Sequence, residues 1–195
     1  MAEQAALADA SAQAMRANFE RAGLQLDGMC IGLSRYGLQW RQTAALLEDL
    51  TPEEADTLGA MMPLVRARAG QHLIAEGEVG DWMLLLLAGT VDVIKTSDTG
   101  EVSRLAVIKQ GAAVGEMSML DTAPRYATCK AIDDVQAGVL TRATIAHLIQ
   151  HHPAIGAKLL VKLTQLLAQR LRNTSNRLVK LLRTTGASVP DLAPD

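Results

Sequence analysis

The residues best suited to chemistry lie close together in residues 111–128, GAAVGEMSMLDTAPRYAT. Gly115 precedes a short run able to make one or two helical turns, and a Pro124-Arg125 pair closes the segment. A glycine lets backbone approach a ligand closely. The amides after it stand at a helix N-terminus, where unpaired N–H groups and the helix dipole favour a phosphate. Arg125 supplies the counter-charge, and its fork matches a phosphate in two contacts. Glu116 is out of place beside a phosphate unless the ligand also carries a sugar hydroxyl that needs an acceptor. The segment therefore reads as an anion cradle with a hydroxyl contact, not as a catalytic set.

The residues that follow sharpen this. Arg125, Ala127, Cys129 and Ala131 alternate with Tyr126, Thr128, Lys130 and Ile132. If this is a strand, its period puts Arg125 on the face of the small apolar residues. A charge on an inward face needs a counter-charge. The sequence offers no obvious single carboxylate for it, so a bound phosphate is the natural partner.

GEMSMLDTAPRYAT resembles the phosphate-binding cassette of the cyclic nucleotide-binding domain family, whose members include bacterial catabolite activators. The family pattern is Gly-Glu, a short helix, Pro-Arg, a small residue and Ala-Thr; Gly115, Glu116, Pro124, Arg125, Ala127 and Thr128 match it, and Tyr126 departs from it. The resemblance implies that Glu116 takes a ribose 2′-hydroxyl and Arg125 the cyclic phosphate. The amides of Gly115, Met117, Ser118 and Tyr126 would complete the cradle, and Val114 and Ala127 would lie against the ligand. Tyr126 could stack on a base or fill the pocket. Further on, Arg170-Leu-Arg-Asn-Thr-Ser175 is similar to the activators' dimer-helix segment, which implies base contacts for Thr174 and Ser175. The implied ligand is a cyclic nucleotide, cyclic AMP ahead of cyclic GMP, with cyclic di-GMP as another candidate.

The elements that must position these residues follow from pattern. Residues 2–22 are Ala-rich and helical, with a thin stripe of Met15, Phe19, Ala22 and Leu26 able to dock on the domain or on a partner. Residues 41–50 are helical in pattern. Thr51, Pro52 and Glu54 make a helix start, running to Met62. From residue 64 to 140, short segments punctuated by Gly70, Gly77, Gly80 and Gly89 read as strands, with 82–87 continuously apolar and a hairpin turn at 97–100. Helical periodicity returns at Thr141, runs to about His151, and resumes from about 154 to 183. In that last helix Leu160, Thr164, Leu167, Leu171, Thr174, Leu178 and Leu181 form a heptad seam, which argues for pairing with a second helix.

The expected fold is therefore mainly β with flanking helices: a double-stranded β-helix, or jelly roll, of cyclic nucleotide-binding type with a long C-terminal dimerisation helix. Residues 1–45 form a helical extension, 46–152 the β-roll with its cassette at 111–128, 153–184 the dimer helix, and 185–195 a disordered tail. The resemblance spans about residues 46–182.

Composition sets the outer limits. At 195 residues and 49% hydrophobic the chain can build one core, but only 3% is aromatic, so Leu, Val, Ile, Ala and Met must fill it. No apolar run is long enough to cross a bilayer, and the start lacks the pattern of a signal peptide. Cys30 and Cys129 have no metal or redox spacing and read as free thiols in a reducing cytoplasm. His147 and His151, four apart on a helix, lack a third ligand and read as an exposed pair, so no metal is expected. There is no nucleophile–base set and no NTP-binding P-loop, so no enzyme is expected.

Charge is uneven: residues 1–134 carry 11 Lys/Arg against 19 Asp/Glu, whereas residues 135–190 carry 8 Lys/Arg and no acid. The basic run reads as a solvated face, with the acidic front able to meet it across a dimer. About a dozen residues follow Arg183, and a helix-turn-helix domain needs at least roughly 50. Sequence-specific DNA binding is therefore not expected. The expected output runs through a homodimer and a protein partner. The competing reading is an interaction module that keeps the fold and binds no nucleotide.

Overall fold

In the computed structural model, which describes residues 2–36 and 46–185, β4 (Trp82–Ala88) lies between two cores. Side chains alternate across a strand. Trp82, Leu84 and Leu86 therefore point into a space shared with Val65, Ile74, Val91, Cys129 and Val139. Met83, Leu85 and Leu87 point the other way, toward Leu58, Met62, Leu148, Leu159 and Leu163. A strand covered on both faces has no polar side, hence the unbroken apolar run.

The strands form two antiparallel sheets. One carries β1 (Gln25–Met29), β2 (Pro63–Ala67), β9 (Val135–Thr141), β4 and β7 (Ala113–Val114), in that order. The other carries β3 (His72–Ile74), β8 (Thr128–Ala131), β5 (Thr90–Thr96) and β6 (Val102–Lys109). Register places Trp82 opposite Thr141, and Leu84 opposite both Val139 and Val114. The turn from β4 to β5 requires glycine: Gly89 has φ +87°, and a Cβ there would lie 2.4 Å from Asp134 O. This is the expected jelly roll. β1 was not legible in the sequence; it is an exposed edge strand with no apolar alternation.

Helices pack around the roll. α1 (Ala2–Arg21) docks on its own domain, burying Met15 and Phe19, and Phe19 meets Trp82 edge-on with centroids 4.7 Å apart. α2 (Pro52–Gly59) begins at the expected capping box, in which Thr51 Oγ1 accepts from Glu54 N and a Glu54 oxygen accepts from Thr51 N. It ends at Gly59 rather than at Met62. A Cβ on Gly59 would lie 2.3 Å from Cys30 O, and the chain must extend before Pro63. Of the helix expected at residues 41–50, residues 41–45 lie outside the described ones, and 46–49 form a turn. The tail from 186 onward also lies outside them.

α3 (Glu116–Asp121) is the cassette helix, and α4 (Arg142–His151) is capped by Thr141, whose hydroxyl oxygen accepts from Thr144 N at 3.0 Å. α5 (Pro153–Thr185) buries Ile155, Leu159 and Leu163 against the helical core. Its heptad seam is a different face: Leu171 is 69% exposed, Leu178 56% and Leu181 61%. The reading of the basic run as wholly solvated needs correction. Lys158 pairs with Glu54 at 2.6 Å, and Lys162 with Glu48 at 2.8 Å and Asp49 at 3.1 Å, all within one chain. These acids come from the segments flanking Thr51, which α5 crosses.

The Lys158 hydrogen bond, aided by the Thr51 amide, holds the Glu54 carboxyl below its usual range. A carboxyl whose folded pKa is depressed stabilises the fold above its unfolded value, about 4, and loses that contribution as pH falls through the folded value. Melting temperatures of wild type and Glu54→Gln should therefore differ most near neutral pH and converge in acid. A difference that grows below pH 4 would contradict this.

Candidate ligand-binding site

Gly115 opens the site. It caps α3 with φ +83°, and a Cβ there would lie 2.8 Å from Ile74 Cδ1 and 2.9 Å from Arg125 Nη1. Its left-handed backbone turns the chain from β7 into α3, whose first amides have no partner within the helix.

Arg125 lies just ahead of β8 rather than in a strand, yet on the inward face expected for it, in line with the buried Cys129 and Ala131. Its main chain is anchored on both sides: its N–H donates to Glu78 O at 2.8 Å, and its carbonyl accepts from Gly77 N at 2.9 Å. The guanidinium is buried. Nη1 donates to Gly115 O and Nη2 to Trp82 O, each at 2.7 Å, and the group lies 4.3 Å from the Trp82 ring centroid. No described carboxylate forms an ion pair with it. Burial pulls its pKa down, and the nearby acids, Glu78, Asp81 and Glu116 among them, oppose that shift. The rest of its five-donor fork remains available.

Glu116 is fully buried. Its Oε1 pairs with Arg170 Nη1 of α5, and Arg170 Nη2 donates to Ala113 O at 2.5 Å. Its Oε2 is buried with no hydrogen-bond partner among the described residues. An unsatisfied carboxylate oxygen is costly inside a protein, and a ligand hydroxyl would satisfy it.

These groups face one cavity of about 400 Å³. Val93, Leu105 and Ile108 give it an apolar wall, and Asn173, Thr174 and Arg177 of α5 close it from the other side. Of the residues singled out from sequence, Val114, Gly115, Glu116, Met117, Ser118, Arg125, Tyr126, Ala127 and Thr174 line this cavity. Pro124 and Ser175 do not. Pro124 is exposed in the turn that delivers Arg125, and Ser175 is rotated about 100° around the helix from Thr174. Tyr126 does not fill the pocket. It is 58% exposed at the mouth, beneath the Lys95 ammonium at 4.7 Å.

Sequence reasoning missed Arg170 and Arg177, which it absorbed into the basic run, and gave no role to Asn173, which lies in the segment matched to the dimer helix. Their spacing was the available signal: 170, 173 and 177 share one helix face with Thr174. It also missed Arg142, which joins the cassette to the start of α4 by donating from Nε to Met119 O at 2.7 Å and from Nη2 to Ser118 O at 3.4 Å. The thiols are not reactive groups: burial pushes Cys129, on the cavity lining, up to about 12 and Cys30 up to about 11. His147 and His151 stack at 4.1 Å, and no three potential metal ligands cluster among the described residues. No described helix is long and apolar enough to cross a membrane.

Two packed sheets, a glycine-headed turn, and a buried arginine and a buried glutamate facing one cavity define a small-ligand binding domain. The chain belongs to the cyclic nucleotide-binding domain family, whose model matches residues 64–152. A solved cyclic nucleotide-binding domain from Methylobacillus flagellatus KT is similar, with a TM-score of 0.71 and 30% identity over 87% of this chain and 92% of that one. The Thermus thermophilus catabolite activator protein aligns with a TM-score of 0.64 and 31% identity, covering 70% of this chain and 62% of that one. The CRP-like cAMP-activated global transcriptional regulator of Mycobacterium tuberculosis is 28% identical over 141 residues, 72% of this chain and 61% of the relative. The chain thus spans about three fifths of the length of that curated relative.

Arg142→Ala would strip a donor from the carbonyls of Ser118 and Met119, both buried. The expected loss is about 1–3 kcal/mol of unfolding free energy, read by urea denaturation. A variant as stable as wild type would show that Arg142 does not hold α3.

Proposed function

We propose that this chain is a cyclic nucleotide sensor that binds ligand between the cassette and α5 and signals through α5. One observation carries the reading. A single cavity holds a buried arginine with no carboxylate partner and a buried glutamate with one unpartnered oxygen, among the described residues. One ligand that brings both an anion and a hydroxyl satisfies both, and a ribose cyclic phosphate is such a ligand. Arg125 takes the phosphate with the amides of Gly115, Met117, Ser118 and Tyr126, while Glu116 Oε2 takes the 2′-hydroxyl. Pro124 sets the turn that presents Arg125, and Val114 and Ala127 pack against the ligand. Thr174 faces the base, with Ser175 beside it. The names of the relatives suggest cyclic AMP as the first ligand to test.

Arg170 gives the mechanism its coupling. It belongs to α5 yet holds Oε1 of Glu116, so a ligand that changes the charge and hydrogen bonding around Glu116 acts on α5 directly. Ligand shifts the population of α5 arrangements only insofar as it binds them unequally. The output is a homodimer joined along the seam of Leu160, Thr164, Leu167, Leu171, Thr174, Leu178 and Leu181, whose altered surface a protein partner reads.

Titration calorimetry with cyclic AMP and cyclic GMP should show saturable binding, abolished in Arg125→Ala and weakened roughly tenfold or more in Glu116→Gln. Binding that survives Arg125→Ala would remove the phosphate assignment. In sedimentation, the wild type should run as a dimer and Leu171→Glu/Leu178→Glu as a folded monomer. A monomeric wild type would end the dimer reading.

A further inference from the structure

Three side chains of β4 point into the core of the roll, and one of them is unlike the others. Leu84 and Leu86 carry no polar atom, whereas Trp82, 1% exposed, brings an indole N–H into the same core. Its Nε1 has no hydrogen-bond partner among the described residues. A Cβ on Gly80 would lie 3.0 Å from that nitrogen, so what abuts it is a glycine with no side chain to accept from it. An unmet buried donor is costly, and a leucine or a phenylalanine would fill the position without one. Burial alone therefore does not account for a tryptophan here.

What tryptophan has beyond those residues is its π face, the best of the aromatic rings for a cation. Cζ of Arg125 lies 4.3 Å from the Trp82 ring centroid. Gly115 O and Trp82 O hold the guanidinium by Nη1 and Nη2. Two points fix a line, and a planar group can still turn about it. A ring against its face stops that rotation. The remaining N–H groups then keep one plane, which a two-contact match to a phosphate requires. Phe19 of α1 packs edge-on against the same indole at 4.7 Å and limits its movement. We infer that Trp82 is a positioning residue of the anion site, whose indole sets the plane in which Arg125 meets a phosphate, although it is not among the residues that line the cavity. The inference rests on the cyclic nucleotide reading.

The test is calorimetry with cyclic AMP and cyclic GMP on wild type, Trp82→Phe, Trp82→Leu and Leu86→Ala, each shown to be folded by circular dichroism. Leu86→Ala is the control, since it opens space in the same core from the same strand and destabilises the fold. Affinity for the nucleotide that binds should fall from wild type through Trp82→Phe to Trp82→Leu, the last about tenfold weaker. Leu86→Ala should stay within about twofold of wild type, whatever its loss in urea denaturation. A second measurement needs no ligand. With Trp40, the only other tryptophan, replaced by phenylalanine, Arg125→Met should shift the emission of Trp82. Wild-type affinity in Trp82→Leu, an equal loss in Leu86→Ala, or an emission indifferent to Arg125→Met would each overturn the inference while sparing the sensor reading. Binding of neither nucleotide by wild type would remove the sensor reading and the role of Trp82 with it.

Discussion

The structure turns on one buried cation. A guanidinium taken out of water without an ion-pair partner is expensive, and the chain around Arg125 is arranged to hold it without neutralising it. Two carbonyls, Gly115 O and Trp82 O, accept from it, and the indole of Trp82 lies against its face. Two glycines make room: a Cβ on Gly80 would lie 2.8 Å from Nη2, and one on Gly115 would lie 2.9 Å from Nη1. Holding Arg125 thus fixes residues far apart in sequence. Trp82 belongs to the strand shared by both cores and is itself pinned by Phe19 of α1. The arginine is a fixed feature of the fold, so little side-chain ordering would oppose binding of an anion there.

Much of this could be read from the sequence because the relevant patterns are local. The cassette packs glycine, glutamate, proline and arginine into one short segment. The capping box at Thr51, the cap at Thr141 and the unbroken run of β4 each depend on neighbours in the chain. The inward face of Arg125 was legible even though Arg125 precedes the strand, because its residue alternation with Cys129 and Ala131 continues outside the ladder. What could not be read depends on distant partners. Arg170 looks like any cation on a basic helix until Glu116 is brought to it, and Lys158 and Lys162 look solvated until α5 crosses the acids near Thr51. β1 carries no apolar alternation because it is an exposed edge, and its pairing is written in β2 rather than in itself.

α5 is divided in two by the same forces. Its first turns are fastened by Ile155, Leu159 and Leu163 in the helical core and by the ion pairs of Lys158 and Lys162. From Leu171 to Leu181 it is exposed around its circumference. The described contacts of that stretch with the roll are few and polar, Arg177 to Leu105 among them, with Arg170 on Glu116 and Ala113 just before it. Polar contacts at a cavity edge exchange with water at small net cost, whereas buried leucines do not. The helix is therefore stiffly rooted at one end and lightly held at the other.

That asymmetry decides where a ligand can act. A molecule entering the cavity meets the lightly held half, where Arg170 already spends its charge on Glu116. A ligand that brings its own anion and its own donor competes with both ends of that ion pair, whereas the rooted half has no contact with the cavity to be altered. Motion would then pivot near the last buried leucine, Leu163, and be carried into the exposed seam of Leu171, Leu178 and Leu181. A second helix packed on that seam would feel each change of angle over several turns. On the proposed reading, the division of one helix into an anchored root and a ligand-facing arm would link a small site to the exposed seam.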